Sequence, residues 1–364
     1  MAMLIFIFIV LALIASVYLF MHSPAFGRSA TGERLQRIRA SAHYRNGSFQ
    51  NLSDTPPLTD GANYRRLLWE FFFVKHPRAA PERQLPAQKT DLRALGSDED
   101  VLVWFGHSSY FLQADGKKIL VDPVFSGHAS PFSFTTKSFP GTDMYGVSDL
   151  PELDILFLSH DHWDHLDYKT LLQLKPKVKR IITGLGTAAH LERWGFDMAI
   201  VEERDWNEHI PLGDGFSAVT LPARHFSGRT FKRNQALWIS LALRTPTMNI
   251  YLGGDSGYDT HFKEIGIKYG PFDLAILECG QYNRFWKYIH MMPEEVIQAG
   301  IDLRAGRILP VHWAKFRLGL HPWDEPIKRV IAEGLRRNIP VLHPMIGEKM
   351  NLKHPSSFVN WWEP

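Results

Sequence analysis

The spacing of hydrophobic and polar residues changes sharply along this chain. Residues 1–21, MAMLIFIFIVLALIASVYLFM, form a continuous apolar run without a charged side chain. A helix rises about 1.5 Å per residue, so a helix over this run reaches the roughly 30 Å thickness of a bilayer core. The run therefore predicts a transmembrane helix over residues 1–22. The alternative is a cleaved signal peptide, but the run lacks a positively charged start and a clear small-residue cleavage site.

From about residue 100 onward, hydrophobic residues occur instead in short runs that are typical of strands. Many of these runs are bounded by Gly, Pro, Asp or Asn. Ten runs fit this pattern: VLVWFG, YFLQAD, KKILVDP, DILFLS, RIITG, FSAVTLP, ALWISLAL, MNIYLGG, FDLAILE and RILPVH. Four segments between them have helical patterns: 167–174, 187–195, 293–305 and 325–338. Two groups of strands with helices in their connections predict an α/β fold in which two sheets pack together with helices outside.

Polar sequence separates the apolar run from the strand-rich region. Residues 46–63, NGSFQNLSDTPPLTDGAN, have the composition of a linker. We therefore divide the chain into a transmembrane anchor (1–22), a basic juxtamembrane segment with a linker (23–63), and a large folded domain (64–364). Two aromatic stretches, at 67–73 and 358–362, either pack in the core or contact a membrane surface.

Composition and charge narrow the class of protein. A hydrophobic content of 45% excludes a disordered chain, and the single cysteine, Cys279, excludes a disulfide scaffold. The net charge is +3, but residues 28–50 alone carry +4, which leaves −1 for residues 51–364. A near-neutral domain argues against a nucleic-acid partner. Five arginines directly follow the apolar run, so the positive-inside rule predicts a single-pass membrane protein whose domain faces the cytoplasm.

The densest cluster of ionisable residues follows a predicted strand. The segment DILFLSHDHWDHLDY ends its apolar run at Ser159 and continues with three histidines and two aspartates in residues 160–165. Imidazoles two residues apart on a loop can converge on one ion, while Asp164 and His165 can reach a second. Neutral imidazoles and carboxylates suit zinc, and less exclusively iron or manganese. The sequence therefore predicts a metal site after this strand.

This H-x-H-x-D-H pattern resembles the signature of the metallo-β-lactamase superfamily, which implies an αββα sandwich with two metal ions, here two Zn²⁺, at one edge of the sheets. The superfamily also implies ligands at later strand ends, and His225, Asp255 and His312 follow predicted strands in that order. Taken singly, such a histidine is more often only a polar strand end, and GGDSG is a common turn. The resemblance implies one site of His160, His162 and His225, a second of Asp164, His165 and His312, and Asp255 as the bridge.

Longer blocks, between about residues 45 and 345, resemble the N-acylphosphatidylethanolamine-hydrolysing phospholipase D branch. They are WFGHSS (104–109), LVDPVFSGHASP (120–131), GDSGYDTHFKEIGIKYGPFDLAIL (254–277), WKYIHMMPEE (286–295) and PVHWAKFRLGLHPWDEP (310–326). Vertebrate members have Gln-His-Val-Asp-Pro where this chain has Ile289 to Pro293, and Tyr in place of Trp163. His290 is retained, so it either contacts the substrate phosphate or is structural. The changes beside it bear on lipid selectivity.

The resemblance implies a membrane-anchored hydrolase that cleaves a phosphodiester bond in a phospholipid, releasing N-acylethanolamine and phosphatidic acid. Two ions about 3.5 to 4 Å apart lower the pKa of a shared water and stabilise charge on a phosphate. Asp164 and Asp255 would hold the ions, and His290 could donate to the phosphate or to the leaving oxygen. The alternatives are a lactonase or other small-molecule metallohydrolase of this fold, a nuclease, which the charge disfavours, and a non-catalytic membrane-tethered metal-binding protein. The oligomeric state is left open.

In a histidine that binds a metal, the other ring nitrogen usually donates a hydrogen bond to a carboxylate or a carbonyl oxygen. Asp122, Asp161 and Asp167 are the candidates for this role. His107 either lies near the metals or only packs in the core. No G-x-S-x-G or phosphate-binding loop competes with the metal motif, and Cys279 is expected to be a buried small residue rather than a nucleophile.

Overall fold

Two large β-sheets form the centre of the molecule, in a computed structural model that describes residues 1–59 and 61–363. A short ribbon precedes them, formed by β1 (Tyr44–Arg45) and β2 (Ser48–Phe49). The next six strands belong to the first large sheet: β3 (Val101–Trp104), β4 (Tyr110–Ala114), β5 (Lys117–Val121), β6 (Ile155–Leu158), β7 (Ile181–Gly184) and β8 (Val201–Arg204). The second sheet contains β9 (His209–Gly213), β10 (Phe216–Leu221), β11 (Ser240–Arg244), β12 (Asn249–Leu252), β13 (Leu274–Glu278) and β14 (Ile308–Val311). The last strand, β15 (Lys349–Asn351), returns to the first sheet.

The order of the strands sets which strand ends meet. The first sheet has the order β15-β3-β4-β5-β6-β7-β8, and the second has the order β14-β13-β12-β11-β10-β9. Strands β5 to β8 are parallel neighbours, and so are β12 to β14, while the other neighbours are antiparallel. The carboxyl ends of each parallel set therefore lie at one edge of its sheet.

The described residues form eight α-helices, and the last five cover the outer faces of the sheets. In chain order they are α1 (Ala2–Met21), α2 (Gly32–Ala40), α3 (Tyr64–Phe73), α4 (Tyr168–Leu174), α5 (Ala188–Arg193), α6 (His261–Tyr269), α7 (Pro293–Asp302) and α8 (Glu325–Arg337). Side chains of α4 and α5 share a hydrophobic cluster with the first sheet, and those of α6, α7 and α8 share the main cluster with the second.

Strand periodicity explains the layering. Successive side chains of a strand point to opposite faces of its sheet. In β3, Leu102 and Trp104 join the cluster that contains Leu241 of the second sheet, while Val103 joins the cluster with the outer helices. Both faces of the strand are buried, which is why its sequence is continuously apolar. The predicted sandwich of two sheets between helices is confirmed.

The segment predicted as a linker packs against the large domain. Phe49 is fully buried, and its backbone N–H donates to the Asn234 carbonyl. Further along, the Thr59 N–H donates to the carbonyl of Phe285. The basic segment before it also contacts the domain, since Arg34 pairs with Glu203 at 2.9 Å. These residues are thus part of the folded unit.

The apolar helix stands apart from this unit. No residue of α1 is buried, and it is the one described helix that is long and apolar enough to cross a membrane. A signal sequence meets the same criteria of length and composition. Of the two aromatic stretches, the carboxyl-terminal one lies in the core, since Trp361 and Trp362 are buried, whereas Trp69 and Phe73 in α3 are exposed.

Candidate metal centre

The carboxyl ends of strands from both sheets bring the predicted metal ligands together. β6 ends at Leu158, and the run of histidines and aspartates follows directly. The loops after β10, β12 and β14 carry His225, Asp255 and His312. All seven predicted ligands are buried or half-buried at this edge of the sandwich.

One group of four side chains can surround a metal ion. It consists of His160, His162, His225 and Asp255, whose ligand atoms all lie within 4.8 Å of one another. His160 Nε2 lies 2.9 Å from His162 Nδ1, and His225 Nε2 lies 3.2 Å from the same nitrogen. Three imidazole nitrogens and a carboxylate in such proximity match the donor set of a zinc site.

A second group lies beside the first. It consists of His107, Asp164, His165 and His312. Asp255 lies between the groups, since its Oδ2 is 3.2 Å from His165 Nε2 and its Oδ1 is 3.2 Å from His312 Nδ1. The fold therefore holds His/Asp clusters able to bind two metal ions. The assignment of the seven individual ligands stays a prediction that this geometry supports.

The charges of the two groups suit cations. Burial by itself would raise the pKa of Asp164 and of Asp255, but the neighbouring imidazole of His165 holds both well below their usual range. Burial lowers the pKa of His160 and His312 well below the usual value of an imidazole. His160 and His312 are thus held as neutral imidazoles beside ionised carboxylates, the forms that bind metals. Burial would also lower the pKa of His165, but Asp255 and Asp164 raise it well above its usual value, so His165 must release a proton to bind an ion.

Several atoms of the site have no partner within the described chain. His162 Nε2, His165 Nε2 and Asp255 Oδ1 are buried and form no hydrogen bond there. Leaving a buried polar atom without a partner costs about 1–3 kcal/mol, more for a charged group. Metal ions would satisfy His165 Nε2 and Asp255 Oδ1, which lie beside atoms of other predicted ligands, so the residues fit such ions.

Contacts behind the ligands fix their orientation. His165 Nδ1 lies 2.8 Å from the carboxylate of Asp122, and His225 Nδ1 lies 2.8 Å from the carbonyl oxygen of Ile289. His107, fully buried, places its Nε2 2.8 Å from the carboxylate of Asp164. His107 therefore lies near the predicted metal ligands and does not only pack in the core.

The two other carboxylates do not contact a predicted ligand in this way. Asp161 accepts a hydrogen bond from the backbone N–H of Gly228 and lies 3.3 Å from His190 Nε2. Asp167 caps α4 and accepts from the backbone N–H of Ser126. Both hold loops around the clusters, so Asp122 is the one carboxylate of the three that reaches a ligand's ring.

The backbone of the site is strained at several positions. His107, Asp122 and His312 have φ angles of 53°, 40° and 69°, in the left-handed region that side chains disfavour. Such strain concentrates where the surrounding structure imposes a functional geometry. At Gly254, a Cβ would lie 2.8 Å from the Cβ of Ser159. Because glycine has no Cβ, the loop of Asp255 can approach the histidine loop.

Sequence reasoning missed one residue, Asn51, in the segment predicted as a linker. Its Nδ2 donates to the carbonyl of His225 over 2.8 Å, and its Oδ1 accepts from the N–H of the same residue over 3.1 Å. The same oxygen accepts from Trp238 Nε1 over 3.0 Å. The partners are more than 170 residues away along the chain, so no local pattern could have revealed them.

The clusters form the base of a cavity of about 610 Å³. Most of its walls are apolar, and several come from the segment before the large sheets. The apolar wall residues are Pro57, Leu58, Tyr64, Leu67, Phe226, Trp286, Ile289 and Leu318. Arg233 adds a positive charge at the wall. A charged base under apolar walls suits a ligand that joins an anionic group to hydrocarbon.

His290 faces this cavity beside the clusters. One ring nitrogen of His290 lies within 4.8 Å of the ligand atoms of Asp255 and His312. Its Nδ1 lies 3.5 Å from the buried carboxylate of Glu278. Burial lowers the pKa of His290, but Glu278 raises it more, so the net shift is upward. His290 is therefore held as a hydrogen-bond donor at the base of the cavity, the position that contact with a phosphate would require.

Fold and site together define a metal-dependent hydrolase. The chain belongs to the metallo-β-lactamase superfamily, because residues 117–313, more than half of its length, match the family described as a beta-lactamase superfamily domain. A solved structure of isothiocyanate hydrolase from Delia radicum gut bacteria shares this fold, with a TM-score of 0.54 at 21% identity. That likeness covers 71% of this chain and all of the other.

Two relatives define its place more closely. An uncharacterised protein of Mycobacterium tuberculosis is 36% identical over 343 residues, which cover 92% of each chain. The N-acyl-phosphatidylethanolamine-hydrolyzing phospholipase D 1 of Caenorhabditis elegans is 33% identical over 233 residues, or 59% of this chain and 64% of the relative. The predicted resemblance to that branch is thus confirmed at the level of sequence.

Proposed function

We propose that this protein is a membrane-anchored, dinuclear zinc-dependent phosphodiesterase that hydrolyses N-acylphosphatidylethanolamine-type phospholipids to N-acylethanolamine and phosphatidic acid. The observation that carries the proposal is the pairing of two His/Asp clusters with a cavity of about 610 Å³ whose walls are largely apolar. The similarity to the Caenorhabditis elegans phospholipase D supports the same substrate class. Iron or manganese could occupy the same ligands in place of zinc.

Bound metal ions would supply Lewis acidity, which activates water and neutralises phosphate charge. His160, His162 and His225 would hold one ion. Asp164, His165 and His312 would hold the other, with Asp255 shared between them. Asp164 and Asp255 would thus act in catalysis through the ions that they hold.

The chain's own residues would position the substrate. His290 would donate a hydrogen bond to a phosphate oxygen or a proton to the leaving oxygen. The oxygen of water forms the new bond to phosphorus, and the bond from phosphorus to the ethanolamine oxygen breaks. The leaving oxygen takes up a proton, so the products are an N-acylethanolamine and a phosphatidic acid. Leu58 and Leu67 would contact hydrocarbon of the lipid on the cavity wall.

The anchor would give the site access to its substrate. We infer that α1 remains attached and spans the membrane once, with the hydrolase domain on the cytoplasmic side. The five arginines that follow α1 support this orientation through the positive-inside rule. Arg28 and Arg34 both pair with Glu192, so they also tie the anchor to the domain.

A turnover panel tests the function. Full-length protein in detergent micelles, loaded with Zn²⁺, Mn²⁺ or Fe²⁺, is given N-acylphosphatidylethanolamine, phosphatidylcholine and an acyl lactone in ¹⁸O-labelled water. We expect phosphatidic acid that carries the label on phosphorus. Asp255→Asn should abolish turnover and reduce the bound metal, whereas His354→Ala, an exposed histidine, should change neither. Turnover of the lactone without turnover of any phospholipid would replace the proposal by a small-molecule hydrolase.

A further inference from the structure

Exposed aromatic side chains cluster beside the end of the apolar helix. Phe20, in the last turn of α1, stacks on Phe132 with ring centroids 4.6 Å apart. Phe132 contacts Phe134 in turn, at 5.4 Å, and 43% and 71% of these two residues is exposed to solvent. A loop that touches the last turn of a membrane span lies at the level of the membrane surface. The loop at 131–135 therefore has the position and the composition of an interfacial contact.

A second loop, residues 226–235, is fixed to the same region. The buried guanidinium of Arg229 donates to the carbonyl of Ala25, four residues beyond α1, over 2.8 Å. It also lies 3.8 Å from the ring centroid of Trp163, and the Trp163 ring packs nearly perpendicular to that of Phe26 at 5.0 Å. The root of this loop is thus bound to the connection that leaves the apolar helix.

The tip of that loop has a composition suited to lipid. Phe231 is 92% exposed and is followed by the exposed Lys232 and Arg233. Neither loop contains an acidic residue. Transfer of an exposed phenylalanine ring from water into the bilayer interface is favourable. Anionic head groups attract the cations beside it.

The second loop also forms part of the mouth of the metal cavity. Phe226, Arg233 and Asn234 line the cavity, and Phe231 is only two residues from Arg233. A bilayer that received the tip of this loop would therefore lie against the opening of the cavity. A phospholipid could then enter without crossing a layer of water.

We propose that residues 131–135 and 230–233 form a second membrane contact, the interfacial surface, which seats the cavity mouth on an anionic phospholipid bilayer beside α1. The inference rests on the proposed membrane anchor. Continuity with the end of α1, the lack of acidic residues in both loops and the basic tip of the second loop favour a lipid surface as the occupant. The other occupant to be tested is a second copy of the chain.

Single-cysteine labelling tests this surface directly. The only cysteine of the chain, Cys279, is fully buried, so a new surface cysteine can be labelled selectively. Full-length Phe134→Cys and Phe231→Cys variants carry an environment-sensitive fluorophore in vesicles of phosphatidylcholine and phosphatidylglycerol. Ile267→Cys and Leu335→Cys, 68% and 79% exposed, serve as controls. Lipids with a quencher on the acyl chain report contact with the bilayer.

We expect lipid quenching at 134 and 231 to exceed that at 267 and 335 at least about twofold, because interfacial residues enter the bilayer by ~5–10 Å. Equal quenching at all four positions would overturn the proposal. A blue-shifted emission at 134 and 231 that ignores the quencher and grows with protein density would assign the surface to a second copy instead.

A kinetic measurement complements the labels. Phe134→Ser and Lys232→Gln should leave turnover of a short-chain, water-soluble phosphodiester unchanged and raise KM for substrate in vesicles by about 3- to 10-fold. An unchanged KM on vesicles would contradict the surface. If the wild type cleaves no phospholipid, the proposed function fails, while the labelling result still decides whether the surface contacts lipid.

Discussion

At the scale of single residues, the metal clusters are held by contacts that come from distant parts of the chain. The imidazole of His165 is oriented by Asp122, and that of His225 by the carbonyl of Ile289. Asn51 holds the backbone of His225 on both its N–H and its carbonyl side. Such contacts determine the orientation of the ligating rings. Metal affinity should therefore depend on residues that touch no metal.

Asn51→Ala tests this dependence. The substitution removes three hydrogen bonds and leaves the backbone N–H and carbonyl of His225 without their partner, while the indole N–H of Trp238 keeps the carbonyl of Ala223. We expect metal affinity to fall ~10- to 100-fold and the free energy of unfolding to fall by about 1–3 kcal/mol. Competition with a chromogenic chelator measures the affinity, and urea denaturation measures the stability.

Two variants distinguish the loss of the Asn51 hydrogen bonds from a general effect of truncating a side chain. Asn51→Asp keeps the acceptor but loses the donor, so it should lie between the wild type and Asn51→Ala. Asn360→Ala makes the same truncation at an exposed position and should match the wild type. Metal affinity that is equal in all four proteins would show that Asn51 is only a packing residue.

His290→Ala separates a substrate contact from a metal ligand. His290 lies beside the clusters but is held by Glu278, which contacts none of the seven predicted ligands. We expect kcat to fall by roughly 100-fold, as when a single donor to a developing charge is removed, with metal content unchanged. Glu278→Gln should reduce kcat in the same direction but less. If His290→Ala instead loses a metal ion by elemental analysis, the histidine is a ligand.

At the scale of elements, the predictable parts are those with a local pattern. All ten predicted strands are present, because buried strands are continuous apolar runs. The pattern does not predict the short ribbon β1–β2 or three strands of the large sheets, β8, β9 and β15. These three all lie at a sheet edge, and their residues are partly exposed. Helix α6 was missed because Gly266 interrupts its pattern. The structure explains the glycine, since a Cβ there would lie 1.9 Å from the carbonyl oxygen of Asp302 in α7.

Helix α3 is a second helix that the sequence pattern does not predict. The sequence pattern identifies only an aromatic stretch in YRRLLWEFFF, whereas the structure shows a helix whose N-cap is Asn63, with its side chain accepting from the N–H of Arg66. The clustering of the seven predicted ligands could be anticipated, because each follows a strand in the order that the resemblance to the superfamily implies. The cavity wall could not, because Pro57, Leu58 and Leu67 reach the His/Asp clusters only through the tertiary fold.

This wall should set chain-length preference. Leu67 in α3 lines the cavity, and its neighbour Leu68 is 57% exposed. Burying a leucine side chain against hydrocarbon is worth about 1.5–3 kcal/mol. Leu67→Asn should therefore reduce kcat/KM for long-chain over short-chain substrate by about 10- to 100-fold. Leu68→Asn is the matched control on the same helix and should keep the wild-type ratio. A ratio unchanged in both would place the acyl chain elsewhere.

At the scale of the whole molecule, the anchor and the metal domain meet through a short, tightly bound connection. Residues 22–28 lie outside the apolar helix, yet Phe26 is buried. The carbonyl of Pro24 accepts from Trp194 Nε1 over 2.6 Å, and that of Ala25 accepts from the buried Arg229. Arg229 in turn donates to the carbonyl of Asp161 in the histidine loop. The connection therefore supports the metal site, so it should belong to the folded unit rather than to the anchor.

Two truncations test this division. Removing residues 1–21 takes away the proposed anchor and no buried side chain, so the remaining protein should stay in solution with its metal content intact. Removing residues 1–28 also deletes the acceptors of Arg229 and Trp194. Arg229 then loses the carbonyl of Ala25 but keeps that of Asp161, and the indole N–H of Trp194 loses its acceptor. Two buried donors with a lost bond should lower the free energy of unfolding by about 2–6 kcal/mol relative to the shorter truncation. Urea denaturation and elemental analysis of both proteins measure the difference. Equal midpoints and equal metal content would show that the connection only tethers the domain to the membrane.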